Sequence, residues 1–298
     1  MKSGIILLLA MVVTTFGQAQ QFSEKINKEL TFEKKSADNA VMIANINGHI
    51  KVTGYDGDKI VLEVTKSISA KTDARLEKGK LDVELGVIDR ADTIIIYVKD
   101  GCNTFGRRTA RNRRDRWATK GWGYNWDNNN GGCHLPYDYK MNFVLKVPAG
   151  THILASTIND GDIVIENVKG TVDADNINGS IKLTNLMREA EASTINGDVD
   201  IEYTLNPSKD CRFYTLNGDI NASFQKGLAA SLSFESFNGS FYTNIDNLTP
   251  LPVKVEKSAK GDGIKFKVNG NRYQVGSGGA AYLDFETFNG NVYLKEKN

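Results

Sequence analysis

Proline is nearly absent, with five residues in a chain of 298. Glycine has no period of three, so a collagen-like chain is excluded. Net charge is also nearly absent: 37 Lys+Arg stand against 36 Asp+Glu. That balance excludes a broadly basic nucleic-acid binder. With 40% hydrophobic residues it also excludes a disordered chain. Past residue 19 no stretch approaches 18 uninterrupted apolar residues, so no membrane-spanning helix is expected in the mature chain. Histidine occurs only at His49, His134 and His152, none beside a recognisable nucleophile or carboxylate motif. G-x-S-x-G, H-E-x-x-H and the P-loop are all missing.

The chain is rich in glycine and asparagine, at 28 residues each. Residues 1–19 have the layout of a secretory signal: Lys2, an apolar run from Gly4 to Thr15, and Gly17-Gln18-Ala19 at the cleavage position. Removal after Ala19 leaves a formally neutral chain, and its location is expected to be the periplasm, the outer-membrane surface or the extracellular space. Residues 20–39 are a candidate cap, and 40–298 the main domain, interrupted at 101–134.

The interruption is unlike its surroundings. Between Cys102 and Cys133 lie all three tryptophans (Trp117, Trp122, Trp126), Tyr124, and six arginines at Arg107, Arg108, Arg111, Arg113, Arg114 and Arg116. No period of 2 or 3.6 runs through it, so it reads as a long loop. Its position suggests a Cys102–Cys133 bridge, which an exported chain can keep. Cys211 is the competing partner, expected instead to be free and buried. A metal site on Cys102, Cys133 and His134 lacks a fourth ligand and any recognised spacing, so no metal or cofactor is expected.

Outside the insertion one phrase returns. It runs Ile46-Asn47-Gly48, Ile177-Asn178-Gly179, Ile195-Asn196-Gly197, Leu216-Asn217-Gly218, Phe237-Asn238-Gly239, Val268-Asn269-Gly270 and Phe288-Asn289-Gly290, with Ile158-Asn159-Asp160-Gly161 as a variant. The glycines at 161, 179, 197, 218 and 239 are 18, 18, 21 and 21 residues apart. Asn-Gly turns a chain tightly, and the alternating residues after it suit a strand with one buried face. No amphipathic helix is expected; Lys71–Glu84 contains Gly79 and reads as loop then strand.

Two all-β architectures fit. Asn-Gly can mark hairpins in an antiparallel sandwich or barrel. Alternatively each 18–21-residue unit is one coil of a single-stranded parallel β-helix. An extended 20-residue coil has a perimeter of about 60–70 Å at roughly 3.3 Å per residue, which suits three sides. Flanking residues recur as well: Thr157, Thr194, Thr215, Ser236 and Thr287 before Asn, and Asp162, Ser180, Asp198, Asp219, Ser240 and Asn291 after Gly. Hairpins do not require such columns, so the β-helix is the expectation.

Ile46 to Asp58, Val147-Pro148-Ala149-Gly150 and Val275-Gly276-Ser277-Gly278-Gly279, together with the ordered Asn-Gly series, resemble the bacterial putative-adhesin family of exported β-helical proteins, related to the auto-transporter adhesin head domain. The resemblance spans about residues 40–298. It implies a parallel β-helix without known catalytic residues. The Cys102–Cys133 insertion departs from the family pattern.

Function is then expected in binding. Aspartates at 162, 198 and 219 form a column that a calcium site or polysaccharide lyase could use, but serine or asparagine replaces them in other units, which suits a polar ladder. The insertion carries seven Lys/Arg and two Asp over residues 101–133, a net +5. Indole and phenol faces stack on sugars, and arginines grip carboxylate or phosphate. The expectation is a non-enzymatic cell-envelope or surface scaffold of adhesin type. Its partner would be an acidic surface polysaccharide or an envelope protein, contacted through Arg107, Arg108, Arg111, Arg113, Arg114, Arg116, Trp117, Trp122, Tyr124 and Trp126. Nucleic acid is a poor partner for an exported chain. The alternatives are a polysaccharide-active enzyme on the same scaffold and a purely structural envelope protein.

Overall fold

The structure, a computed structural model, describes residues 20–107, 121–125, 133–252, 255–260, 263–268 and 271–297. The proposed signal at 1–19 lies outside them, as does the Asn269-Gly270 pair.

Two large mixed sheets make up the fold. The ten-stranded sheet runs, edge to edge, Gln20–Leu30, Ile60–Ala70, Asp138–Pro148, Ile50–Tyr55, Ile163–Glu166, Ile181–Leu186, Val199–Tyr203, Ile220–Phe224, Val292–Glu296 and Phe241–Thr243. The eleven-stranded sheet runs Leu248–Pro250, Asn271–Val275, Ala230–Asn238, Tyr282–Asn289, Cys211–Asn217, Ala190–Asn196, Val172–Asp175, His152–Ser156, Ala40–Ala44, Thr93–Lys99 and Glu84–Asp89. Two hairpins, Thr104–Arg107 with Trp122–Asn125 and Val255–Lys260 with Gly263–Val268, form small sheets of their own.

Alternation along each strand sends every second side chain inward. Ile163, Ile165, Ile181, Leu183, Val199 and Ile201 of one sheet and Ala174, Ala192, Phe213 and Phe285 of the other belong to one continuous buried core. Removing apolar surface of this extent from water is the main favourable contribution to folding.

The β-helix expectation is overturned. Each period supplies two short strands, one to each sheet, and the remaining residues turn the two corners. Val172–Asp175 lies in one sheet and Ile181–Leu186 in the other, with Asn178-Gly179 between them. The expected three-sided coil assumed a third extended side; instead the strands from His152–Ser156 to Ile220–Phe224 alternate between the two sheets, and corners of two to seven residues take up the rest of each period. Spatial order also departs from chain order. The last layer, Tyr282–Glu296, sits between the Cys211–Phe224 layer and the Ala230–Thr243 layer. Antiparallel strands close the flanks, Gln20–Leu30 on Ile60–Ala70 and Ile60–Ala70 on Asp138–Pro148. The result is a two-sheet sandwich, nearer the alternative. Its central neighbours are nevertheless parallel (Ile163 beside Ile181 beside Val199 beside Ile220), and its described Asn-Gly pairs join the two sheets instead of forming hairpins.

The loop-then-strand reading of Lys71–Glu84 is also corrected: Asp73–Asp82 is an α-helix, with the Thr72 hydroxyl accepting the Arg75 N–H as its N-cap. Gly79, which argued against a helix, is there for packing. A Cβ on it would lie 2.8 Å from Ile68 and 2.9 Å from Tyr137, so glycine lets the helix seat closely on the sheet.

Candidate functional site

The insertion leaves the sandwich after Thr93–Lys99 and returns before Asp138–Pro148. Its base is fastened three ways. Cys102 and Cys133 are bridged, with their Cα atoms 5.6 Å apart. Asp100 accepts the backbone N–H groups of Cys102 (2.9 Å) and Asn103 (2.6 Å) on one oxygen. Its other oxygen accepts the Asn103 amide (2.9 Å) and the Tyr139 hydroxyl (2.8 Å). Burial, and then the Asp100 carboxylate, hold the Tyr139 phenol protonated far above its ordinary range.

The third fastening is the hairpin, which corrects the reading of the whole insertion as an unpatterned loop. In four-residue strands, Phe105 and Tyr124 fall on one face and dock on the outer side of the eleven-stranded sheet. Phe105 stacks on Tyr97 at 4.4 Å between centroids and meets Tyr124 edge-on at 5.1 Å. Tyr124 is buried against Ala44 and Ile46. Its hydroxyl accepts the Val98 N–H (3.0 Å) and lies 2.8 Å from the Val98 carbonyl and 3.0 Å from that of Ala44. The Ala40–Ala44 strand ends at this point, and the phenol stands in for the next rung of its ladder. Burial drives the Tyr124 phenol far above its ordinary range.

The candidate residues therefore divide. Tyr124 is buried and anchors the hairpin through its backbone partners. Trp122 is half-buried, stacked on Phe105 at 6.2 Å, with the Arg107 guanidinium 5.5 Å from its ring. Arg108, Arg111, Arg113, Arg114, Arg116, Trp117 and Trp126 lie outside the described residues. Beside the bridge opens a cleft of about 440 Å³, lined by Asn47, Asp100, Asn103, His134, Asp138 and Asp160 among others. Clefts of about 490 Å³ and 370 Å³ adjoin it through Asp138. Among the described residues no group of three His, Cys, Asp or Glu is placed to hold a metal ion.

The recurring columns are structural. Asparagine amides form one ladder, each Nδ2 donating to the Oδ1 of the neighbouring layer: Asn159 to Asn47 (3.2 Å), Asn178 to Asn159 (2.9 Å), Asn196 to Asn178 (2.8 Å), Asn217 to Asn196 (2.9 Å), Asn289 to Asn217 (2.8 Å) and Asn238 to Asn289 (2.8 Å). The buried threonines donate to glycine carbonyls one layer away, Thr194 to Gly179 and Thr215 to Gly197, both at 2.8 Å. The aspartate column caps backbone donors: Asp162 accepts the Ser180 N–H (2.7 Å), Asp198 that of Asp219 (2.8 Å) and Asp219 that of Asn291 (2.7 Å).

Sequence reasoning missed one surface feature. The residue between the threonine, asparagine or serine of each layer (Asn176, Thr194, Thr215, Thr287, Ser236) and the ladder asparagine points outward, so the layers align Ile177, Ile195, Leu216, Phe288 and Phe237 in an apolar row beside the amides. The row is least covered at its end, where Phe237 is 74% exposed and stacks on Phe288 at 4.8 Å. At the other end the hairpin buries Ile46.

No family model matches the chain, and no curated protein does. Among solved structures it is similar to a "putative cell adhesion protein" from Clostridium sporogenes (11% identity, 93% of this chain and 100% of that one, TM-score 0.38). A "putative adhesin" from Bacteroides fragilis is similar at 12% identity over 92% of this chain and 97% of that one, with a TM-score of 0.40. A "putative lipid binding protein" from Parabacteroides distasonis gives 10% identity, the same coverages and a TM-score of 0.23. Likenesses this distant carry no argument about function.

Proposed function

We propose that the chain is a non-enzymatic scaffold exported to the cell envelope or surface, whose sandwich displays the Trp/Arg-rich insertion to an acidic glycan or acidic envelope partner. The observation that carries this is the fastening of the insertion. A disulfide, a four-contact aspartate and a buried tyrosine fasten the base of the insertion, Asp100–Arg107 and Trp122–Asn125, to the sandwich. Fixing the points where the chain enters and leaves residues 108–120, before the partner arrives, lowers the entropy lost on binding. Five arginines and Trp117 fall within 108–120, and arginine suits carboxylate recognition through its planar fork. The bridge itself is consistent with an oxidising compartment.

The test is a panel of acidic and neutral glycans offered to residues 20–298, reading binding and chain cleavage together. Saturable, salt-sensitive binding to acidic members is expected. It should be lost when 108–120 is replaced by a Gly-Ser linker that preserves the hairpin. Cleavage of any glycan, or binding untouched by the replacement, would overturn the reading.

A further inference from the structure

Three of the four edges of the two large sheets are guarded against further strands. Gln20–Leu30 carries Glu24, Lys25, Lys28 and Glu29, with Lys25 and Glu29 paired to Glu63 and Lys59. Glu84–Asp89 begins and ends on carboxylates, and Leu248–Pro250 ends on proline. Charge and proline are the usual means of blocking edge pairing. The fourth edge, Phe241–Thr243, has neither. It lies in a ten-residue uncharged run, Ser236-Phe237-Asn238-Gly239-Ser240-Phe241-Tyr242-Thr243-Asn244-Ile245, and among the described residues it pairs only with Val292–Glu296. Tyr242 stands exposed on the edge, and Phe237 is exposed at the end of Ala230–Asn238 beside it in the same run.

This edge is also where the ladders stop. In inner layers the asparagine Oδ1 accepts the next amide, the glycine N–H donates to the next asparagine carbonyl, and the serine or aspartate side chain accepts the next N–H. In the last layer Asn238 and Ser240 are bonded inward, through the Asn238 amide and the Ser240 N–H. Among the described residues, Asn238 Oδ1, Ser240 Oγ and the Gly239 N–H have no partner. Val292 donates to the Ser240 carbonyl. Alternation therefore turns the N–H groups of Phe241 and Thr243 away from the sheet.

We infer that this edge is a docking site for an extended strand of another polypeptide, added in parallel and bearing an uncharged aromatic–Asn–Gly–polar phrase. Main-chain bonds to Gly239, Phe241 and Thr243 would supply affinity, as in other strand additions. The amide ladder and the Phe237 face would supply register. A second copy of this chain fits less well. Among the described residues its own Asn-Gly phrases are already stacked on both sides except at this edge, and two such edges related by a twofold axis meet antiparallel, with their ladder groups unmatched.

The probe is a biotinylated peptide with the sequence of residues 282–296, the chain's own last layer, tested on residues 20–298 by biolayer interferometry. Saturable binding is expected. Thr243→Pro, which removes an outward N–H and leaves the inner pairing intact, should weaken it at least tenfold. Asn289→Ala with Gly290→Val in the peptide should do the same, and Phe237→Ser in the chain should weaken it too. An unchanged thermal melt of the Thr243→Pro chain confirms folding. Absent binding, or binding indifferent to Thr243→Pro (exchange with the resident last layer), would overturn the inference. So would a dimer that Thr243→Pro dissolves while the peptide fails to compete.

Discussion

Tyr124→Phe isolates the anchor of the insertion. The substitution keeps the ring that meets Phe105 at 5.1 Å and deletes only the hydroxyl. That hydroxyl sits 3.0 Å from the Val98 nitrogen and 3.0 Å from the Ala44 carbonyl, in a position closed to water. Its loss leaves the Val98 N–H buried without an acceptor, at about 1–3 kcal/mol. A central value of about 2 kcal/mol raises the local opening equilibrium roughly thirtyfold. Native-state hydrogen exchange reads this directly. Val98 should lose about that factor of protection, while Ala192 and Ile201, in layers remote from the hairpin, should keep theirs. Affinity for an acidic glycan should fall with it, because the same opening frees both ends of the displayed segment. Val98 protection within about twofold of the parent would refute the reasoning: the hydroxyl would then contribute nothing that water does not replace.

Two further outcomes follow from the stack and its buried acids. Gly218→Ala places a Cβ against the Gly197 carbonyl, whereas at Gly150 a Cβ meets open space. Gly218→Ala should therefore cost at least about 1–3 kcal/mol in a denaturant titration and Gly150→Ala within about 0.5 kcal/mol of zero; equal costs would deny the close approach. Burial pushes the pKa values of the Tyr124, Tyr139 and Tyr203 phenols above the ordinary value of 10.0, and that of the Cys211 thiol above the ordinary value of 9.0. The folded chain then holds protons that the unfolded chain releases, so stability is flat below these values and falls as pH rises through them. The melting temperature should drop between about pH 9 and pH 11, and Cys211 should resist thiol reagents at about pH 8 until the chain unfolds; a flat melting curve would contradict the burial of these groups.

Local chemistry was legible in the sequence where a residue type answers a local need. Asn-Gly marked corners because few other pairs turn so tightly, and alternation marked strands. The bridge at Cys102 and Cys133 was readable because they bracket a change in composition. What failed was counting. A period of 18 to 21 residues gives the length of a circuit but not its division between strand and corner, so two faces passed for three. The intercalated last layer was equally hidden. Nothing in Phe288-Asn289-Gly290 tells it to bond Asn217 before Asn238, since every layer offers the same phrase. Tyr124 was read as a ligand contact because tyrosine is amphipathic: its ring and hydroxyl suit a sugar or an interrupted ladder equally, and only the end of Ala40–Ala44 decides between them.

The sameness that misled the count also bears on how the fold is specified. A stack of interchangeable rungs does not by itself fix how many rungs it has or in what order they lie. Order must come from what differs between layers. Here the differences lie at the ends: charged antiparallel strands and the docked hairpin close one side, and Asn271–Val275 pairs with only the first half of Ala230–Asn238 on the other. Closure at one end and, at the other, an uncharged Phe241–Thr243 strand open on its outer side give the molecule a direction. The insertion and the open edge are then separable by mutation. Replacing 108–120 removes charge but no rung, and Thr243→Pro removes a rung contact but no charge, so binding lost in both variants would show that the two ends act on one partner.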